Sequence, residues 1–220
     1  MGKIDAAALE ALVHVMNFAM QELDFSAEKE ERNVRWLKAN FIKHFTADVF
    51  FLNNHSEDCT FLHHHGNLII RGMLEQLIEF LYLLKNSHRI EEYLGGTVNL
   101  EKVNSIQSLI EKAKLLMKKR YDNGRPSVYK MAENIGEVGS TEGTINLYGL
   151  YQLLSDESHN SYFSALLGDI HRVHHSTQSC GLRETQLIVV IIMIAIVLKE
   201  FNQAGQDNNS SANSEMHSFV

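Results

Sequence analysis

Two stretches of this 220-residue sequence carry side chains of the kinds that move protons and hold phosphate. In "YGLYQLLSDESHNSY", residues 148–162, a helical wheel at about 100° per residue gathers Tyr148, Ser155, His159 and Tyr162 within roughly 60° of one another. Leu147, Leu154 and Ser158 fall to one side as a core stripe, and Tyr151 lies between the two sets. His159 thus sits on the rim of a buried face, where an imidazole is partly desolvated yet reachable and its pKa near 6.5 responds to its neighbours. In "HGNLIIRGMLEQLIEFLY", residues 65–82, the same wheel brings Arg71, Glu75 and Tyr82 within about 40°, together with His64 just before it. Arg71 and Glu75, four apart, have the spacing of an ion pair.

Arg71, Glu75 and His159 are the expected catalytic set, and the chemistry they suit is RNA cleavage. A histidine takes the proton from a 2′-hydroxyl or gives one to the leaving 5′-oxygen. An arginine offsets the extra negative charge on phosphorus, and a glutamate orients the arginine or serves as a second acid or base. Tyr148, Tyr151, Ser155 and Tyr162 are the expected substrate-binding residues, as hydroxyls able to hold phosphate or imidazole. The competing expectation is a polar network that joins helices without catalysis, which costs little when every group has a partner.

Other chemistries have weaker sequence support. The histidine clusters His63-His64-His65 and His171, His174, His175 lack a clean ligand signature, since no HExxH, Glu-x-x-His pair or CxxC accompanies them. No metal site and no cofactor is expected. Ser155 has no Gly-x-Ser-x-Gly elbow, and Gly139 and Gly143 are not followed by the Lys-Ser/Thr of a phosphate loop.

The elements that must position these residues read as helices. One proline and 13 glycines leave few breaks between long periodic segments. Helices are expected over residues 4–23, 26–52, 61–84, 99–121, 127–136, 144–167 and 182–201, with a glycine-rich connection before residue 144 and no confident strand. This amounts to an all-α single-domain bundle of about seven helices spanning residues 1–201, centred on the 61–84, 144–167 and 182–201 helices. Residues 202–220, "NQAGQDNNSSANSEMHSFV", are expected to form a disordered polar tail.

A hydrophobic share of 45% and a charged share of 21% suit a folded globular chain. The net charge of −7 argues against a protein that coats duplex nucleic acid. One basic run, Lys112, Lys114, Lys118, Lys119, Arg120 and Arg125, could still guide an RNA strand. Two cysteines, Cys59 and Cys180, make no disulfide framework, and the first residues lack the pattern of a signal peptide, so a cytoplasmic location is expected. The apolar run Leu187–Leu198 is shorter than a bilayer span of roughly 18 to 20 residues, so it is read as a buried helix that could serve a homodimer, with no membrane partner.

The segments "IIRGMLEQLIEFLYLL", "RPSVYKMAENIG" and "INLYGLYQLLSDESHNS" together resemble a bacterial family of unknown function with an Arg-x-x-x-Glu helix, a Pro-Ser-x-x-x-x-Met-Ala segment and a Leu-Ser-x-x-x-His helix. The resemblance covers about residues 60–200. That family is similar in helical layout to HEPN domains, many of which are metal-independent ribonucleases of bacterial defence or stress response with an Arg-x4–6-His motif. This chain departs from the motif, because no arginine lies four to six residues before His159 and Arg172 is too close to His174 and His175. What the resemblance implies is a HEPN-like ribonuclease whose Arg71, Glu75 and His159 are assembled across two helices.

Overall fold

A computed structural model describes residues 3–23, 27–56, 65–90, 105–108, 110–114, 126–140, 143–159, 182 and 184–216, with backbone only at 140, 156–159, 184 and 203–216. Among the described residues the α-helices with bounds are α1 (Ala6–Gln21), α2 (Lys29–Asn54), α3 (Asn67–Lys85), α4 (Val128–Ile135), α5 (Leu147–His159) and α6 (Glu184–Met216), with a 3-10 turn at Ser87–Arg89; residues 106–108 and 110–114, inside the helix expected over 99–121, are helical too. A two-stranded ribbon, β1 (Val138–Ser140) and β2 (Gly143–Ile145), separates α4 from α5. The fold is an all-α bundle in a single domain, as the sequence periodicity predicts.

α1 and α2 form an antiparallel helical hairpin. The side chain of Asp5 accepts a hydrogen bond from the Ala7 N–H at 3.1 Å and so caps α1. The backbone N–H of Ile4 donates to Asn53 Oδ1 at the end of α2, and Arg35 near the start of α2 donates to the Glu22 carbonyl at 3.0 Å. Glu30 and Glu31 in the first turn of α2 favour its positive end.

α3 is the centre of the molecule, and α2, α4, α5 and α6 all pack on it. Ile70, Met73, Leu74, Leu77, Ile78, Phe80 and Leu81 are all buried, which is why its sequence is apolar over most of its circumference. Three rings cross the core: Phe41 of α2 lies parallel to Phe80 of α3 at 3.9 Å between centroids, and Phe80 meets Phe201 of α6 at 6.0 Å. At the opposite end of the same helix pair, Gln186 donates to Asn67 Oδ1 at 2.7 Å, and both side chains are buried. Asn67 with Gln186 and Phe80 with Phe201 are therefore two ties between helices that run parallel.

α4 is short but well bounded. Ser127 Oγ accepts from the Lys130 N–H at 3.3 Å, and Gly136 closes the helix at φ 82°, a conformation in which glycine alone escapes steric cost. Its end is fixed to the end of α3, where Lys85 Nζ donates to the Asn134 carbonyl at 2.5 Å and Asn86 Nδ2 to Asn134 Oδ1 at 3.0 Å.

Several boundaries differ from those expected. The connection before α5 is an antiparallel ribbon, with Val138 opposite Ile145, Gly139 opposite Thr144 and Ser140 opposite Gly143. β-branched Val138, Thr144 and Ile145 favour extended backbone, so α5 begins at Leu147 rather than 144. Asn146 sets that start, because its Oδ1 accepts from the N–H groups of Tyr148 at 2.9 Å and Gly149 at 3.3 Å. α3 starts at Asn67 after a π-type turn at 65–66, and the backbone of α6 is helical to Met216, past the end expected at 201.

The 18 residues Thr185–Asn202 of α6 have a mean hydropathy of 1.9, long and apolar enough by composition to cross a membrane, which the shorter run counted from sequence did not suggest. Val189, Val190, Met193, Ile194 and Val197 are nonetheless buried against the other helices. Burial within the bundle accounts for that face, while Ile188 and Ile191 stand about half exposed on another.

Candidate functional site

Among the described residues, the expected edges of α3 and α5 meet at Arg71 and Tyr151. Arg71 Nη2 donates to the hydroxyl of Tyr151 at 2.8 Å, and the guanidinium carbon lies 5.0 Å from the centroid of the same ring. The cation is thus held both by the phenol oxygen and by the negative face of the ring. Both residues are half-buried, which places the contact on the rim of the core. Directly beneath it Leu147 and Leu154 of α5 and Leu74 of α3 are buried, so the apolar stripes bring the two helices together and leave their polar margins adjacent.

Glu75 lies one turn along α3 from Arg71 and is also half-buried. Among the described residues no ion pair joins Arg71 to Glu75; the guanidinium turns across the helix interface to Tyr151 instead. A half-buried phenol with its ring face available offers a fixed partner, whereas a surface i, i+4 pair contributes only a few tenths of a kcal/mol. Tyr82, on the same wheel edge, is drawn inward: it is buried, and Arg89 donates to its hydroxyl and lies over its ring at 5.8 Å.

On α5, Ser155 Oγ donates to the Tyr151 carbonyl one turn back, at 2.8 Å. Its hydroxyl is thereby engaged with its own helix, a common arrangement for a serine inside a helix. Tyr148 and Tyr151 lie with their rings 6.0 Å apart and 22° from parallel. Tyr129 of α4 meets Tyr148 edge-on, at 5.0 Å and 74°. Sequence reasoning missed Tyr129, although its place in the "PSVYKMA" segment, about 160° around α4 from buried Met131, is a usable signal.

His159 is the last residue of α5, and its side chain lies outside the described residues. Tyr162, His63, His64, His171, His174, His175, Cys59 and Cys180 also lie outside them, as do Lys118, Lys119, Arg120 and Arg125 of the basic run. Eight residues separate Tyr151 from His159, about 12 Å along the axis at the helical rise of ~1.5 Å per residue. The arrangement therefore brings Arg71 to Tyr151, two turns before the helix end that carries His159. Among the described residues no group of three His, Cys, Asp or Glu side chains is arranged to hold a metal ion.

Away from this site, a cavity of about 500 Å³ between α1 and α2 is lined by Ala6, Leu9, Glu10, Val13, His14, Asn17 and Phe50. Six of these seven residues belong to α1. No family model matches the chain, and no curated protein or solved structure is significantly similar to it.

Proposed function

We propose that this chain is a HEPN-like, metal-independent endoribonuclease of bacterial defence or stress response, acting in the cytoplasm, with the rim between α3 and α5 as its RNA-contacting site. The observation that carries the reading is the Arg71–Tyr151 contact, which joins a fixed cation to an aromatic ring on the helix that also bears His159. A guanidinium supplies the planar donors that suit phosphate oxygens.

In this reading the strand lies lengthwise on α5. Arg71 and Tyr151 hold one part of its backbone, Glu75 orients the guanidinium once it turns to phosphate, and His159 acts about two turns further on. The 2′-oxygen bonds to phosphorus as the bond to the 5′-oxygen breaks. His159 as base takes the 2′-hydroxyl proton while water protonates the leaving 5′-oxygen, or as acid protonates that oxygen while water takes the 2′-hydroxyl proton. Assembly across two helices replaces the Arg-x4–6-His spacing that the sequence lacks.

Purified protein and its His159→Ala variant, incubated with labelled RNA, test this directly. The wild type is expected to cleave and the variant to be slower by about a hundredfold or more, the usual worth of a general acid or base. Equal cleavage by both, or none by either, overturns the proposal.

A second reading is a non-catalytic helical module that forms a homodimer, with the Arg71–Tyr151 contact as an internal tie. What favours it is the half-exposed pair Ile188 and Ile191, one turn apart on α6.

A further inference from the structure

Four side chains from three helices form a continuous row: Tyr129 of α4, Tyr148 and Tyr151 of α5, and Arg71 of α3. The row has a direction. At its outer end Tyr129 is 50% exposed, while Tyr148 and Tyr151 are half-buried against the core and Arg71 closes the inner end. Core filling explains the inner rings but not Tyr129, half of whose surface stays exposed although Ala132, three residues on, is buried. The ring of Tyr129 is also held in place: its hydroxyl donates to Glu133 Oε1 one turn along, at 3.3 Å, and its edge contact with Tyr148 fixes the other side. Among the described residues only Tyr148 packs on this ring, so a flat, oriented and half-exposed surface is left to offer.

The charge of the chain narrows what would use that face. At −7 overall, the protein gains little from general attraction to a phosphate backbone, so a nucleic-acid strand needs a second source of affinity. Stacking on tyrosine supplies one, at a strength nearly independent of base identity. Only an unpaired base has a free face to stack, since in a duplex every internal base is covered on both sides. A row of rings that ends in a guanidinium thus matches the repeating unit of a single strand, base and then phosphate.

Resting on the ribonuclease reading above, we infer that Tyr129, backed by Tyr148 and Tyr151, is a base-stacking platform that restricts the Arg71 site to single-stranded RNA. Tyr129 is then a substrate-contacting residue, and strand state rather than base sequence is what the site selects.

The test uses the full chain carrying His159→Ala, so that RNA survives the measurement. Fluorescence anisotropy compares a labelled single-stranded oligoribonucleotide with the same strand annealed to its complement. The single strand is expected to bind at least tenfold more tightly than the duplex. Adding Tyr129→Ala should weaken single-strand binding by about fivefold or more, while Tyr129→Phe, which keeps the ring and loses only the bond to Glu133, should bind nearly as the parent does. Equal binding of both RNA forms, or unchanged binding by the Tyr129→Ala protein, overturns the platform. If wild-type cleavage still depends on His159 in that event, the ribonuclease reading survives without it; if the parent binds neither RNA form and wild type cleaves none, both fall.

Discussion

Asp48 of α2 illustrates how single residues set the pH response of this bundle. Burial pushes its carboxyl above the ordinary 3.8, and the positive charge of His44, one turn earlier, only partly offsets the effect. A carboxyl whose folded pKa is raised binds its proton more tightly in the native state than in the unfolded chain, so its contribution to stability falls as pH rises from about 3.8 through the higher folded value. Asp48→Asn, which keeps the shape and removes the charge, is therefore expected to raise the unfolding midpoint at pH 7. The gain should shrink as pH is lowered toward 3, where both side chains are neutral; urea titrations at the two pH values measure it. Lys38 carries the converse cost: burial lowers its pKa from 10.5 despite nearby Glu200, so the native state is favoured as the ammonium loses its proton. At this scale the sequence was partly legible. The wheels placed Arg71 and Tyr151 on the margins of their helices, but a wheel has no information about the partner helix, so the choice of Tyr151 over Glu75 depended on the packing of α3 against α5.

Among the elements, the β1–β2 ribbon has the tightest geometry. A Cβ added to Gly139 would lie 2.1 Å from the Gly143 carbonyl oxygen and 2.8 Å from the Thr144 Cα, both backbone atoms of the paired strand. Gly139→Ala must therefore separate the strands, with a loss of about 1 to 3 kcal/mol measured by urea unfolding. Gly143→Ala, whose added methyl meets nothing within 4 Å, is the matched control and should change little. The displacement also reaches Asn146, the residue that sets the start of α5 and hence the phase of Tyr148 and Tyr151. Periodicity made the long helices legible from α1 to α6. It overlooked a ribbon of three residues per strand, because so short a run gives too few alternations to separate from a glycine-rich loop.

The whole molecule is organised around α3, and among the described residues α6 is one of several elements that keep apolar side chains exposed. Ile188 and Ile191 are each about half exposed although Val189, Val190 and Met193 beside them are sealed. If a second copy covers this face, light scattering gives twice the monomer mass, and the double variant Ile188→Lys, Ile191→Lys returns a monomer with its helical content intact. A wild type that is monomeric at all concentrations removes the homodimer reading. The all-α class was legible from proline content and period alone, whereas which helix lies at the centre was legible because α3 is apolar on most of its faces.

The bond between Asn67 and Gln186 spans 119 residues of chain. Synthesis from the N-terminus therefore delivers the central helix long before the last wall of its core. Until α6 has emerged, the side of α3 that ends at Phe80 has no Phe201 to meet, and the nascent protein must carry an open apolar seam. The hairpin of α1 and α2 closes on contacts within the first 54 residues and packs on α3 through α2. Final closure waits for α6 and rests on long-range contacts that form slowly. Truncation that removes α6 is expected to expose the apolar side of α3 that Phe201 and the buried valines of α6 cover, and self-association in light scattering checks it.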